Sequence, residues 1–166
     1  SIERSVHKAL PLASEVNVKK SLFGKITIEV KFDPVKYFCQ IDGMYYALDE
    51  DLRIMDADKS KSKYTAYGAI KIVIPETRQP EIGEYIVFYD TVAETDEEEE
   101  TIYEVKKGDY YKYISDFLHA LTKSGYLPDA NGVILDEKFN ITLIYAEKYS
   151  INFGRADELD AKFRVL

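Results

Sequence analysis

The sequence is poor in the residues that carry most protein chemistry. It has a single cysteine, Cys39, no tryptophan, and two histidines, His7 and His119, that lie far apart. One cysteine excludes an internal disulfide, and two distant histidines do not give the spacing of a zinc site. No run approaches the roughly 18 apolar residues that cross a bilayer as a helix. We therefore expect neither a metal site nor a membrane span within these residues.

A basic surface is also lacking. The 166 residues contain 22 Lys and Arg against 30 Asp and Glu, a formal charge of −8, and six of the acids lie within residues 94–100. No stripe of Lys or Arg offsets this charge, so the chain would repel a phosphate backbone and we expect no nucleic-acid partner. Hydrophobic residues, with tyrosine counted among them, make up 46% of the chain. Fourteen residues are tyrosines, and tyrosine is favoured in β-sheets. The composition indicates a globular protein rich in strands.

Catalytic motifs are missing as well. The glycine-rich loops that bind phosphates are absent. Three consecutive acids, Asp49, Glu50 and Asp51, end a predicted hairpin. We expect these carboxylates to be solvated, because no neighbour is identifiable that would separate their pKa values. His119 lies beside the apolar stripe of a predicted helix, where a surface or boundary position is expected. The sequence thus predicts no catalytic residue and no cofactor, and the protein is not expected to be an enzyme.

The first 34 residues predict a helix followed by two strands. Apolar residues at helical spacing end at Pro11, and a short strand begins near Val16. Residues 26–32 alternate between polar and apolar side chains, which is typical of a half-buried antiparallel strand. The apolar set of that strand is Ile26, Ile28, Val30 and Phe32.

The remaining residues predict a sheet with two helices. Asp42-Gly43 joins the strands of a hairpin, 35–41 and 44–48. Further strands are predicted at 52–55, 69–74, 85–89, 132–135, 140–145 and 149–153, and a loop at 56–63. A long helix is predicted from an N-cap at Asp109 to Gly125, with apolar residues at 110, 114, 117, 118 and 121. A last helix is predicted from an N-cap at Asp157, with Leu159, Phe163 and Leu166 on its apolar face.

A series of short motifs occurs in order along the chain: Leu10-Pro11-Leu12-Ala13, residues 16–20, residues 24–30, Pro34-Val35, residues 43–51, residues 151–155, and then Leu159, Lys162 and Phe163. Their order resembles the extracytoplasmic part of the FtsQ/DivIB family of bacterial cell-division proteins. The resemblance covers most of the chain outside residues 75–107. Two segments depart from the family pattern, since Lys31-Phe32 precedes Asp33-Pro34 in place of the usual charged pair, and Asp51 stands where glycine is usual.

The resemblance implies an α+β fold in two parts. Residues 1–34 would be the C-terminal half of a POTRA domain, a helix plus two strands. Residues 35–166 would be the FtsQ-type β-domain, a mixed or antiparallel sheet with a long helix packed on one face and a C-terminal helix. The acidic stretch, at about residues 90–104, would be an insertion into that domain.

The resemblance also implies a function. Proteins of this family are scaffolds of the divisome that bind the coiled-coil division proteins FtsB (or DivIC) and FtsL and regulate septum formation. They sit in the cell membrane through one N-terminal helix, which would precede residue 1, with the rest extracytoplasmic. In the family, the strand that captures the FtsB-type partner follows the last helix, so it would follow residue 166. The nearest surface in these residues is the sheet edge expected from Tyr149 to Gly154, with Tyr145 beside it, and the expected partner-binding residues are Tyr145, Tyr149, Ile151, Phe153 and Gly154.

Two other functions fit the same pattern. A POTRA-bearing scaffold of another envelope system, for protein translocation or adhesion, would share the first 34 residues' fold. An accessory or degenerate hydrolase domain would need a pocket in which polar side chains converge.

Overall fold

The computed structural model describes residues 2–10, 13–32, 35–88, 90–91, 103–104 and 110–166. The chain divides into two compact units, Ser1–Pro34 and Val35–Leu166. The same two ranges are the POTRA half and the β-domain that the resemblance implies, and those two identities stay predictions. Among the described residues, no helix combines the length and the apolar character needed to cross a membrane.

The first unit contains one helix and one antiparallel strand pair. Helix α1 spans Ile2–Ala9, and strands β1 (Ala13–Lys20) and β2 (Ile26–Phe32) pair from Ala13↔Phe32 to Lys20↔Ile26. The predicted burial of the apolar face of β2 is wrong, because Ile26, Ile28 and Phe32 are all exposed. An eight-residue helix and two strands offer too little apolar area to cover both faces of the pair. Among the side chains of this unit that the structure describes, Ala13 and Val16 of β1 are the buried ones.

The second unit is built on a mixed seven-stranded sheet. Its strands are β3 (Tyr37–Ile41), β4 (Met44–Leu48), β5 (Ile54–Asp58), β6 (Ile70–Val73), β9 (Ala130–Leu135), β10 (Ile141–Tyr145) and β11 (Tyr149–Gly154), and a separate short pair joins β7 (Asp90–Thr91) to β8 (Tyr103–Glu104). The order across the sheet is β11-β10-β9-β6-β3-β4-β5. The β3–β6 and β6–β9 pairs are parallel and the others antiparallel. The α+β fold expected from the sequence is confirmed.

Helix packing defines the core of this unit. Helix α3 (Tyr110–Ser124) buries the stripe Ile114, Phe117, Leu118 and Leu121 completely. These spacings of three and four residues place the stripe on one helix face, where it packs into the main apolar cluster with strands from the whole sheet. A smaller cluster, formed around Tyr64 of the short helix α2 (Ser62–Thr65), contains Phe38 and Ala47.

The hairpin turn between β3 and β4 is confirmed in detail. Asp42 and Gly43 both have positive φ, 48° and 79°, and the strands close at the pair Ile41↔Met44. Positive φ at both central positions is the geometry of the hairpin turn that matches the twist of the flanking strands, and Asp-Gly adopts it readily.

Several predicted element bounds are wrong. In place of the strand expected at 85–89, the described residues 85–88 form only isolated bridges, from Tyr85 to Arg53 and from Phe88 to Thr77. The strand expected at 52–55 begins at Ile54 and continues to Asp58, and the expected loop at 56–63 contains that strand end and the start of α2. The cap expected at Asp109 lies outside the described residues, as do the acidic residues 94–100.

The last helix also differs at both ends. Helix α4 spans Leu159–Arg164, and its N-cap is Glu158 rather than Asp157, in a left-handed conformation without a side-chain cap. The Asp157 carboxylate pairs instead with the Lys162 ammonium. Leu166 lies past the helix and is exposed, so only Leu159 and Phe163 of the expected stripe pack inward.

Candidate protein-binding edge

The two edges of the seven-stranded sheet are covered to different extents. At the β5 edge, the segment 83–86 bonds to the start of the strand. Ile54 N–H donates to the Glu84 carbonyl at 2.8 Å, and Gly83 N–H donates to the Ile54 carbonyl at 2.8 Å. At the opposite edge, β11 pairs with β10 and with no other strand of the described residues. The outer side of β11 therefore presents backbone groups to an incoming strand.

The register shows which residues carry those backbone groups. Asp136 N–H donates to the Asn140 carbonyl at 3.0 Å, so residues 136 and 140 are a hydrogen-bonded pair at the end of the β9–β10 ladder. Because hydrogen-bonded and non-hydrogen-bonded pairs alternate along an antiparallel ladder, this pair fixes which residues of β10 bond to β9. Even-numbered residues of β10 then bond to β9, and odd-numbered ones face β11, where Leu143 is paired with Ile151. By the same alternation, Ser150 and Asn152 direct their N–H and C=O groups to the free side of β11.

Strand β11 carries none of the residues that usually protect a sheet edge. Its sequence, YSINFG, contains no Lys, Arg, Asp, Glu or Pro. Natural edges are commonly blunted by charge, by proline or by a bulge. The register shift between Ile141 and Thr142 lies at the far end of β11, opposite Gly154, and leaves four consecutive pairs regular. An uncharged, regular edge of this kind favours pairing with another chain.

The expected binding residues of β11 divide between core and surface. Phe153 is buried, with ring centroids 5.0 Å from Phe117 and 4.7 Å from Phe163. Ile151 is half-buried on the same face. Tyr149 is 53% exposed, and the Lys148 ammonium lies 5.2 Å from its ring centroid. Phe153 therefore anchors the strand from below, and Tyr149 is the large side chain available to a partner.

Tyr145 lies beside the start of β11 and is held in place by two neighbours. Its ring meets Tyr126 edge-to-face at 5.7 Å, and its hydroxyl donates to Asp129 Oδ2 at 3.2 Å. Partial desolvation, followed by the nearby Asp129 carboxylate, raises the pKa of Tyr145. The ring is thus presented in a fixed orientation next to the pair Tyr145↔Tyr149.

Gly154 ends the strand with a left-handed residue. Its φ is 64°, a conformation that most side chains disfavour, and its N–H donates to Asn152 Oδ1 at 2.8 Å. Beyond it, the Lys162 ammonium from α4 donates to the Arg155 carbonyl at 2.9 Å and pairs with Asp157. These bonds tie the end of β11 to α4, so the edge is presented by a held segment.

A polar cluster between the β4–β5 connection and α3 was not foreseen from the sequence. Asp51 Oδ1 lies 2.8 Å from His119 Nε2 and accepts from the Ser115 hydroxyl at 3.1 Å. Glu50 accepts from Thr122 at 2.9 Å, and its Oε2 lies 3.2 Å from His119 Nδ1. The expectation that these carboxylates are solvated is therefore wrong for Glu50, whose side chain is 19% exposed, whereas the Asp51 side chain is 58% exposed although it is hydrogen-bonded. The cluster could have been found from the polar residues at 115, 119 and 122, which are one helical turn apart and therefore share a face of α3.

Electrostatics in this cluster stabilise the ionised acids. The His119 hydrogen bond, with a smaller contribution from Ser115, holds the pKa of Asp51 below its usual range. Burial acts to raise the pKa of Glu50, but hydrogen bonds from Lys36 and Thr122 outweigh it and the pKa is lowered. The cluster thus fastens α3 to the end of the β3–β4 hairpin through charged groups.

The cluster differs from a nucleophilic relay in its connectivity. Ser115 donates to the carboxylate of Asp51 rather than to the ring of His119, whereas in a Ser–His–Asp relay the imidazole takes the serine proton. Within the part of the chain that the structure describes, no group of three or more His, Cys, Asp or Glu side chains could hold a metal ion. The arrangement is suited to fastening two elements together.

Comparison of the chain with protein-family models, with curated proteins and with solved structures finds no match. The functional argument therefore rests on the geometry described above.

Proposed function

We propose that this protein is a non-enzymatic binding scaffold that accepts an extended segment of a partner protein along the free side of β11. The observation that carries the proposal is the contrast between the two sheet edges. One is bonded to residues 83–86, whereas β11 is regular, uncharged and without a second strand among the described residues. Strand addition uses such an edge, with main-chain hydrogen bonds giving affinity and alternate side chains giving specificity.

Main-chain bonds alone would give weak binding. Ser150 and Asn152 offer two N–H and two C=O groups, and each bond contributes about 0.5–1.5 kcal/mol net. The sum, about 2–6 kcal/mol, corresponds to millimolar or weaker affinity once the loss of freedom on association is included. Side chains must supply the remainder, and the exposed Tyr149 with the oriented Tyr145 are the aromatic groups placed to do so.

We further propose that the partner is a coiled-coil division protein of the FtsB/DivIC or FtsL type, and that the scaffold acts outside the cytoplasm on a membrane-anchored protein. Support comes from the collinear motifs of the sequence and from an α+β fold whose long helix packs on one face of the sheet. We propose that the protein acts in cell division, where its binding to these partners regulates septum formation.

The test compares two substitutions at one position. Ser150→Pro removes an outward N–H that the sheet does not use, and edge strands tolerate proline there. Ser150→Ala, the matched control, retains that N–H. We expect the wild-type chain and Ser150→Ala to bind the extracytoplasmic parts of the coiled-coil division proteins equally, and Ser150→Pro to bind about two- to tenfold more weakly.

Two readouts separate binding from folding. Both variants should keep the thermal unfolding midpoint of the wild type within a few degrees, and the amides of Ser150 and Asn152 should gain hydrogen-exchange protection when the partner is added. Equal affinity of Ser150→Pro and Ser150→Ala would contradict docking on β11. Absence of binding to every coiled-coil division protein, with strand-dependent capture of another envelope protein, would contradict the divisome assignment.

A further inference from the structure

The tip of the β1–β2 hairpin exposes two large apolar side chains. Leu22 and Phe23 have relative exposures of 101% and 98%, so they contact almost nothing in the chain. Single exposed apolar side chains are common on protein surfaces. An adjacent Leu-Phe pair at full exposure, however, forgoes the favourable free energy that burial of both side chains would provide. A surface outside the chain that receives this pair would recover it.

The backbone of the turn fixes the pair at the apex. Ser21 N–H donates to the Lys25 carbonyl at 2.8 Å, and Gly24 N–H donates to the Ser21 carbonyl at 3.1 Å. Phe23 N–H donates to the Ser21 hydroxyl at 3.3 Å. Gly24 has a φ of 80°, which lets the chain reverse directly after Phe23. The two side chains therefore project from a hydrogen-bonded loop beyond the end of the strands.

Positive charge surrounds this apex. Residues 16–28 contain three lysines, Lys19, Lys20 and Lys25, and no acid. Lys19 is paired with Glu29 at 2.9 Å, whereas Lys20 and Lys25 are exposed and have no ion-pair partner in the described part of the chain. Two unpaired cations thus flank the apolar pair.

The charge of the whole chain is divided in the same sense. Residues 1–34 contain six Lys and Arg against four Asp and Glu, a net charge of +2, and the remaining residues account for −10 of the total of −8. An anionic surface would therefore attract the first unit and repel the rest. This asymmetry favours contact of such a surface with the first unit, which carries the hairpin.

We propose that the β1–β2 hairpin tip docks on an anionic lipid surface, with Leu22 and Phe23 inserted at the level of the headgroups and Lys20 and Lys25 bound to lipid phosphates. Leu and Phe side chains flanked by lysines are the pattern of interfacial membrane contact. A lipid surface fits better than a protein groove because the tip is a narrow projection with cations on its flanks. The inference does not depend on the proposed role of β11.

The magnitude is that of a reversible contact. Each lysine near an anionic surface contributes about a fivefold factor to the partition coefficient at moderate salt. Insertion of each apolar side chain contributes about a tenfold factor. Replacing Leu22 and Phe23 together by Ser should therefore reduce vesicle binding about a hundredfold, and replacing Lys20 and Lys25 by Ser about 25-fold.

The absence of tryptophan from the sequence allows a specific test. Phe23→Trp places one tryptophan at the apex, and Tyr67→Trp, the matched control, places one at an exposed aromatic position of the second unit. Each full-length variant is titrated with vesicles of equal parts phosphatidylglycerol and phosphatidylcholine, and with phosphatidylcholine vesicles alone. We expect a blue-shifted emission and protection from acrylamide for the tryptophan at 23 with the anionic vesicles only.

The outcomes separate the alternatives. An unchanged emission of Phe23→Trp in anionic vesicles overturns the proposal, as does an equal shift for Tyr67→Trp. Equal binding to neutral vesicles overturns the assignment to an anionic surface. A shift that depends on protein concentration without vesicles shows self-association through the tip and overturns lipid docking. If the Leu22→Ser/Phe23→Ser variant no longer sediments with anionic vesicles and keeps the circular dichroism spectrum of the wild type, the result supports lipid docking.

Discussion

Phe163→Ala tests whether α4 supports the candidate binding edge. The Phe163 side chain is 6% exposed and lies among three aromatic rings, with centroid distances of 4.7 Å to Phe153, 5.7 Å to Phe117 and 6.1 Å to Tyr126. Truncation removes this packing and leaves a void next to the end of β11. The free energy of unfolding should fall by about 3 kcal/mol, at the lower end of the range for Phe→Ala in cores.

The lower end applies because α4 has six residues and can detach by itself. Once the loss exceeds the free energy that holds α4 on α3 and β11, further loss is limited by local unfolding. With a urea dependence of about 2 kcal/mol/M, the unfolding midpoint should drop by about 1.5 M. Amides of β11 should also exchange faster, because Phe153 loses the ring that packs closest to it.

Urea titration followed by circular dichroism measures the midpoint, and hydrogen exchange reports on β11. The control is Val165→Ala, two residues further along and 86% exposed, which should change stability by less than about 0.5 kcal/mol. A midpoint shift for Phe163→Ala no larger than that of the control would refute the packing argument. A large midpoint shift with unchanged exchange in β11 would refute the link between α4 and the edge.

Two further substitutions test the polar groups of the second unit. Tyr37→Phe should raise the free energy of unfolding by about 1 kcal/mol in the same titration, because the Tyr37 hydroxyl is buried and Thr122 lies near it without good hydrogen-bond geometry, and burial raises its pKa to about 12; a loss of stability would contradict this. Asp51→Asn should destabilise the protein near neutral pH by less than about 1 kcal/mol, since the carboxylate is half-exposed, and the difference from the wild type should shrink as the pH falls below the unfolded pKa of Asp51. The sign follows from a folded-state pKa of Asp51 below its unfolded value, so its contribution is present above the unfolded pKa and lost as pH falls through the folded one. A difference between Asp51→Asn and wild type that grows in acid would be the wrong sign.

Local sequence patterns predicted the helices, strands and turns well where the structure depends on residues that are close in the chain. The stripe at 114, 117, 118 and 121 predicted the buried face of α3, and Asp42-Gly43 predicted the turn between β3 and β4. Both depend on residues within a few positions of each other. The prediction of a strand at 85–89 was wrong. Ile86 and Phe88 are buried in the core, as side chains of a strand would be, but their segment makes only isolated bridges and no ladder.

The candidate binding surface was only partly accessible from the sequence. The family resemblance placed it on a sheet edge at residues 149–154, alternation predicted a strand there, and the structure has β11 outermost in its sheet. The division of its side chains into the buried Phe153 and the exposed Tyr149 also needed the packing of α3 and α4.

The sequence by itself determined most of the helices and strands, the position of the tight turn, and the unequal charge of residues 1–34 and the rest. Only the tertiary structure decided the order β11-β10-β9-β6-β3-β4-β5, because pairing between strands far apart in the chain depends on which faces find cover. That order leaves β11 outermost, and it brings Asp51 within 2.8 Å of His119 although 68 residues separate them. Local propensity cannot encode such contacts, since each depends on two segments packing against the same sheet.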